Sequence, residues 1–392
     1  MKQLKNIFFI LILSDTIGQF FSDLYLPSIP AMSKSLSVSV NTAQLTISVF
    51  MLGYCISSFW YGSISDTFGR KKPLLMGLIL CFFGSVICAI STDIYSIIIG
   101  RLLQGLGAGS GMTVTPAIVR DCVEGKMMAK FSSYLTFANI IVIMIAPLIG
   151  GYLQKFFNWQ ASFYFLLIYA FAVLILVFAF LPETKQPEHR SKFNFSTYKD
   201  NIFELLSSRQ FLGYMICLFA SYGGILAWLT VGPVLMQEYL FLTPEKFGWI
   251  CILEGIGYGL GALLNARLVT RFGIHNMLNV GTFFMIVGGV LMLILAWISY
   301  FNVFVIMLPL VCYMFGSAMI FPNSYAGALG SFLKIAGVAS AILGGCQILG
   351  GYVSSMLMAF LPDDSQVPLA LVLIACSIAI FLSKKFMIIK TT

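Results

Sequence analysis

Long uninterrupted apolar runs dominate this chain, and no other feature limits its fold as tightly. Twelve of them, at about residues 6–27, 43–64, 74–92, 94–119, 130–152, 160–181, 210–231, 247–269, 275–298, 303–327, 335–360 and 368–389, have the roughly 20-residue length that carries an α-helix across about 30 Å of hydrocarbon. Inside lipid every backbone N–H and C=O must be satisfied internally, which leaves helices or a closed barrel. The runs are continuous and do not alternate over about ten residues, so a barrel is excluded. The expectation is an all-α polytopic membrane protein of twelve transmembrane helices. With 59% hydrophobic and only 10% charged residues, the composition lies well outside the soluble range. Lys2 and Lys5 precede the first run as they would in a signal peptide. That run is long, however, and ends in "LPSIP" with no small-residue cleavage site.

The net charge of +8 does not mark a nucleic-acid partner, because the charges follow the spans. Of the 23 Lys and Arg, all but four fall on one side of a twelve-span arrangement. Lys34, Lys155 and Lys246 lie on the other side and Arg101 lies inside a span. This is the positive-inside bias, and it places both termini in the cytoplasm. The nine cysteines fall within spans or, for Cys122, in a basic-side loop, so no disulfide is expected. No His/Cys cluster has metal-ligand spacing, and no metal or cofactor is expected.

The longest polar segment, residues 182–209, is charged and central. It reads as a cytoplasmic linker between a six-helix half at 1–181 and another at 210–392. The halves repeat weakly. "GYCISSFWYGSISDTFG" (53–69) matches "GYGLGALLNARLVTRFG" (257–273) at an offset of 204, through Gly53/Gly257, Tyr54/Tyr258, Phe68/Phe272 and Gly69/Gly273. "IGGY" (149–152) returns as "LGGY" (349–352) at an offset of 200. Tandem six-span repeats build a binding site at their interface near the membrane midplane and suit alternating access.

Ionisable groups inside the spans are the functional candidates, since a charge at the bilayer centre costs roughly 2.5–3.5 kcal/mol even on the lenient insertion scale. Asp15 and Asp23 lie in the first run, Arg101 in the fourth and Glu254 in the eighth. Eight residues of helix separate Asp15 from Asp23 by about 12 Å of rise and about 80° of rotation. The two can therefore line one cavity at different depths. Between the second and third runs, "GSISDTFGRKK" (62–72) reads either as a basic-side loop with a turn glycine or as a gate. As a gate, Gly62 lets helices approach, Gly69 makes the turn, and Asp66 pairs with Arg70 or caps a helix. Arg120 and Asp121 are expected to form an ion pair beside it.

The pattern G-x-x-x-D-x-x-G-R-K at this place in a 6+6 chain resembles the signature loop of the major facilitator superfamily. The resemblance implies a loop that stabilises the outward-open state through inter-helix charge contacts. The second-half copy carries Thr270 where the acid would stand. "RLLQGLGAGSG" (101–111) resembles the R-x-x-Q-G motif of proton-coupled antiporters in that superfamily, whose arginine is tied to proton transfer. "APLIGG" (146–151) resembles the antiporter signature G-P-x-x-G-G of its exporters; Pro147, Gly150 and Gly151 match, while Ala146 stands at the first glycine. "DLYLPSIP" (23–30) is similar to the first span of the bicyclomycin/chloramphenicol-resistance (Bcr/CflA) type of drug:proton antiporter. The resemblance gives Glu254 no role.

The resemblance implies two pseudo-symmetric six-helix halves and a proton-coupled exporter of small, amphipathic or drug-like molecules. It implies a multi-pass monomer in a bacterial inner membrane that works without a cofactor. A carboxylate held between desolvation, which favours its acid form, and a nearby arginine, which favours its ionised form, can take a proton on one side and release it on the other. A dedicated metabolite or siderophore exporter, and an uptake symporter, are the alternatives on the same fold. An enzyme is not expected, because the chain has neither a His/acid cluster nor the nucleotide loop G-x-x-x-x-G-K-[ST].

Overall fold

The computed structural model describes residues 2–185, 195–298, 302–332, 335–362 and 365–388, which form helices and connecting turns with no strand. The first span is a broken helix. It runs through α1 (Lys2–Asp15), α2 (Ile17–Asp23), a 3₁₀ turn (Leu26–Ser28) and α3 (Ile29–Ser35). Pro27 causes the break, since it offers no N–H to the carbonyl of Asp23 one turn before it. Spans two to six are α4 (Val40–Phe68), α5 (Lys71–Ile90), α6 (Ile94–Cys122), α7 (Gly125–Phe156) and α8 (Gln160–Phe180). Side-chain caps start several of these helices. Ser39 accepts from the Thr42 N–H and Asp93 from the Ser96 N–H. The Ser96 hydroxyl and N–H also hold the exposed Asp93 carboxyl below its ordinary range.

The second half begins with α10 (Arg209–Val234), which loosens into a π turn at Leu235–Tyr239. It continues with α11 (Pro244–Trp297), α12 (Val303–Gly330), α13 (Ala336–Phe360) and α14 (Val367–Phe386). Helix α11 holds two spans folded at Gly273, whose φ is +78°. Ten helical segments are long and apolar enough to cross a membrane. Division of α11 at Gly273 gives an eleventh. The twelfth is α6, whose hydropathy is depressed by Arg101, Gln104, Arg120 and Asp121. The segment expected as a linker loop contains a helix, α9 (Phe195–Ser207), with Leu205 buried. Residues 186–194 of that segment lie outside the described residues.

The sequence repeat has a structural counterpart at its glycines. Gly53 presses span two on the backbone of span four at Leu102 and Leu106, and Gly257 presses span eight on span ten at Val311. Gly150 faces the Leu24 carbonyl of span one, and Gly350 faces the Phe219 carbonyl of span seven. Gly69 and Gly273 end their helices at φ +92° and +78°, with ψ 172° and 162°, a region essentially restricted to glycine. The same close approaches and the same turn thus recur in both halves. Small residues serve this purpose in lipid, where tight backbone packing takes over from the hydrophobic effect. Large apolar side chains such as Phe83, Phe178, Phe283 and Phe304 remain exposed around the bundle, as a lipid-facing surface requires.

Candidate functional site

At the seam between the halves lies a cavity of about 160 Å³. Spans one and five contribute Gln19, Asp23 and Asn139, and spans seven, eight and eleven contribute Tyr222, Glu254, Tyr258 and Gln347, with Ile140, Met314 and Phe321 among the apolar wall. Asp23 is 1% exposed and Glu254 2%. Gln19, one turn before Asp23, donates to its Oδ2. Among the described residues, none meets hydrogen-bond geometry with Asp23 Oδ1 or either Glu254 oxygen, though the Trp228 indole and the Cys251 thiol adjoin Glu254. No Lys, Arg or His among the described residues lines the cavity.

Arg101 does not face this space and forms no ion pair with Asp23. It is fully buried. Its Nη1 donates to the Phe21 carbonyl (2.7 Å) and to Gln104 Oε1 (2.7 Å), and its Nε donates to the Thr46 carbonyl (3.3 Å). The guanidinium carbon lies 4.2 Å from the ring centroids of both Tyr25 and Phe50. Gln104 passes the network on by donating to Ser85 Oγ at 3.0 Å. Arg101 therefore pins spans one, two and four together at the level of Asp23, through the backbone two residues before it. Full burial leaves the side chain no route to snorkel to the membrane interface.

Asp15 does not line the cavity, contrary to the expectation of two acids at different depths in one space. The helix is interrupted at Thr16, between the two residues, so ideal-helix spacing does not carry both into one space. Asp15 is half-buried beside the cavity and accepts from Asn139 Nδ2 at 2.6 Å, so Asn139 is its link to that space.

The loop at 62–72 is a charge cluster on the basic face. Arg70 donates to Asp66 (2.8 Å) and to Asp121 (2.7 Å), and Lys185 donates to Asp66 (2.6 Å). Glu183 receives the N–H groups of Arg70 (2.7 Å) and Lys71 (3.2 Å). Asp121 thus pairs with Arg70; Arg120 points into a neighbouring cavity instead. All these contacts lie within spans one to six and the segment that follows them, and none crosses to the other half. Gly62 permits no close approach here: a Cβ on it would meet nothing within 4 Å. It lines the same neighbouring cavity, a vestibule of about 610 Å³ that reaches the basic face and is also lined by Arg70, Met112, Tyr325 and Gly344. In this conformation the helices have parted at its level.

The opposite face is sealed by contacts between the halves. Lys34 pairs with Glu238 (2.8 Å) and Lys155 with Glu245 (2.9 Å). Gln237 Nε2 donates to the Pro27 carbonyl (3.0 Å), and Asn41 Nδ2 donates to the Ala359 carbonyl (3.0 Å). The 146–151 motif takes part in this seal. Gly150 faces span one at Leu24, Gly151 abuts Pro244 at the start of span eight, and Gly248 of span eight packs against Pro147 and Leu148. The motif's small residues bring span five close to one helix of each half.

Sequence reasoning singled out Asp23 and Glu254 but missed Gln19, Asn139, Tyr222, Tyr258 and Gln347. Each is a polar residue inside an apolar run. That signal marks candidates and leaves open which of them turn inward.

Residues 8–355 match the family model described as Major Facilitator Superfamily. The chain is 28% identical to "Multidrug resistance protein D" of Escherichia coli (strain K12), over 96% of this chain and 94% of that relative. It is 27% identical to a "Bicyclomycin resistance protein homolog" of Haemophilus influenzae, over 99% and 98%. Among solved structures it is similar to a D-xylose-proton symporter, with a TM-score of 0.80 at 17% identity over 98% of this chain and 97% of that one. It is also similar to the xylose transporter XylE from E. coli in a partially occluded inward open conformation, with a TM-score of 0.78 at 16% identity over 99% and 97%.

Proposed function

The chain belongs to the Major Facilitator Superfamily, and from that premise we propose that it exports small, drug-like molecules across a bacterial inner membrane in exchange for protons. It works as a monomer by alternating access, with both termini and the 62–72 loop in the cytoplasm. The observation that carries this reading is the central cavity. It lies between the halves, holds buried acid groups, is sealed on the outer side by cross-half contacts, and adjoins a vestibule on the basic side. That arrangement suits the inward-facing stage of a cycle. The resistance proteins among the relatives support export of drug-like molecules, and neither the metabolite-exporter nor the uptake alternative gains support from them.

Asp23 takes the proton in the cavity. Arg101 keeps the broken stretch of span one in the shape that presents Asp23. Asp15, tied to Asn139, stands about 12 Å nearer the basic face on span one and serves the inward release route. The ion is H⁺ because a proton bound to an unpartnered buried carboxylate oxygen removes the charge that burial penalises, with no further ligands required. Moving one charge is worth about 2.3 kcal/mol per 100 mV, to which the pH gradient adds.

Expression in an efflux-deficient strain should raise tolerance to a panel of amphipathic drugs, and a protonophore should abolish the gain. Purified protein in liposomes should move the same compounds under a pH gradient without sodium. Transport that survives collapse of the proton gradient but stops when sodium is withdrawn would overturn the coupling.

A further inference from the structure

We infer that Glu254 is a second proton-binding carboxylate of the central cavity, supplied by the half opposite Asp23, and that each transport cycle carries two protons. The inference rests on the antiport reading above and adds to it a count and a second site.

Glu254 stands in the first span of α11, 2% exposed; the Trp228 indole and the Cys251 thiol adjoin its carboxyl, but neither oxygen reaches hydrogen-bond geometry with a partner. Asp23 presents its own unpartnered Oδ1 among the residues lining the same cavity. The titratable groups around them are the phenols of Tyr222 and Tyr258, which line the space, and the thiol of Cys251, one turn before Glu254. The other polar lining residues, Gln19, Asn139 and Gln347 among them, are uncharged. The buried cation nearest Asp23, Arg101, lies outside the lining between two rings; its Nη1 and Nε go to Phe21, Gln104 and Thr46, and its Nη2 has no partner among the described residues. Two buried carboxylates thus share a cavity whose lining, among the described residues, holds no cation, with one arginine behind Asp23 and none beside Glu254. An unpaired buried carboxylate is costly, and two of them repel each other besides. A proton on each removes both penalties.

A carboxylic acid serving only to fill the core would have turned to the Trp228 and Cys251 donors beside it, since buried polar groups are paired as a rule. Glu254 instead faces the space that alternating access exposes to each side in turn. It and Asp23 belong to opposite halves, so the same rocking movement hydrates both. In the cycle, one proton from the outer side binds a carboxylate oxygen of Asp23 and a second binds one of Glu254. Both leave to the basic side when the cavity opens there and substrate takes their place.

Two measurements test this on the full chain. Infrared spectra of purified wild type minus Glu254→Gln at neutral pH should show loss of one carboxylic-acid carbonyl band, distinct from the band lost in Asp23→Asn. An ionised-carboxylate band lost in its place overturns the proposal. In liposomes with the potential clamped at zero by potassium and valinomycin, ethidium should stop moving against a concentration ratio of about 100-fold per pH unit for wild type and about tenfold for Glu254→Gln, because each proton contributes a factor of ten. A tenfold ratio in wild type with the Glu254 acid band present retains antiport and overturns the two-proton count. A wild type that moves no ethidium under any pH gradient overturns the antiport reading and the count together, and the infrared band then still reports whether Glu254 holds a proton.

Discussion

Asp23 and Arg101 lie at one level of the bundle and do different work. Asp23 has a free oxygen facing the cavity, so Asp23→Asn should abolish proton-driven transport while leaving expression and thermal stability near wild type. Arg101 is held by its planar shape, stacked between Tyr25 and Phe50 and forked toward Phe21 and Gln104. A lysine keeps the charge and loses both the stacking and the fork. Arg101→Lys should therefore lower stability by about 2 kcal/mol, the scale of a desolvated cation–π contact, read as a reduced melting temperature in detergent. A lysine variant with unchanged melting temperature but no transport would give Arg101 a direct part in proton transfer.

At the scale of elements, the two repeat glycines offer a matched pair. Gly69 and Gly273 hold the same glycine-only conformation, and an alanine there costs about 1–3 kcal/mol of backbone strain. Their surroundings differ. A Cβ on Gly69 meets the Glu183 carboxylate, and a Cβ on Gly273 meets nothing within 4 Å. Gly69→Ala should also push Glu183 from the N–H groups of Arg70 and Lys71, so it should impair transport severalfold more than Gly273→Ala. The loss should be alike for every substrate, because the loop sits away from the cavity. A changed ranking of substrates in a resistance panel would contradict that. The recurrence also shows what the weak repeat meant. Gly53/Gly257, Gly69/Gly273 and Gly150/Gly350 are common residues in membrane helices, but each pair sits where one helix must touch another's backbone or turn sharply.

For the whole molecule, the proposed alternating access makes the sealed face opposite the basic loops a control on the balance between its two states. Lys34–Glu238 and Lys155–Glu245 are partly exposed, and pairs of that kind are worth about 0–1 kcal/mol. Loss of one should shift the population of the outer-open state by about twofold. Spin labels flanking the outer face should show the longer distance gain weight in Lys34→Glu, and lose it again in Lys34→Glu with Glu238→Lys. Identical distance distributions in all three proteins would mean that the glycine contacts of spans five and eight hold the seal alone. The charge cluster at 62–72 sits on the other face and makes contacts only within its own half here, as befits a loop whose partners come together in the opposite state.

The amino-acid sequence by itself determined the number of spans, their basic-side loops, the twofold repeat and the short roster of intramembrane ionisable residues. Those properties follow from the cost of moving each segment into lipid, and that cost depends on composition and length. Facing is a different property. Span one breaks where Pro27 withdraws a donor, and from there the helical phase cannot be extrapolated. A second irregularity, at Thr16, lies between Asp15 and Asp23, and the facing of Arg101 and Gly62 depends on how spans four and two pack against their neighbours. Glu254 was visible as an acid in an apolar run. Its meeting with Asp23 in one cavity brings together residues 231 positions apart, and only the packing of one half against the other decided it.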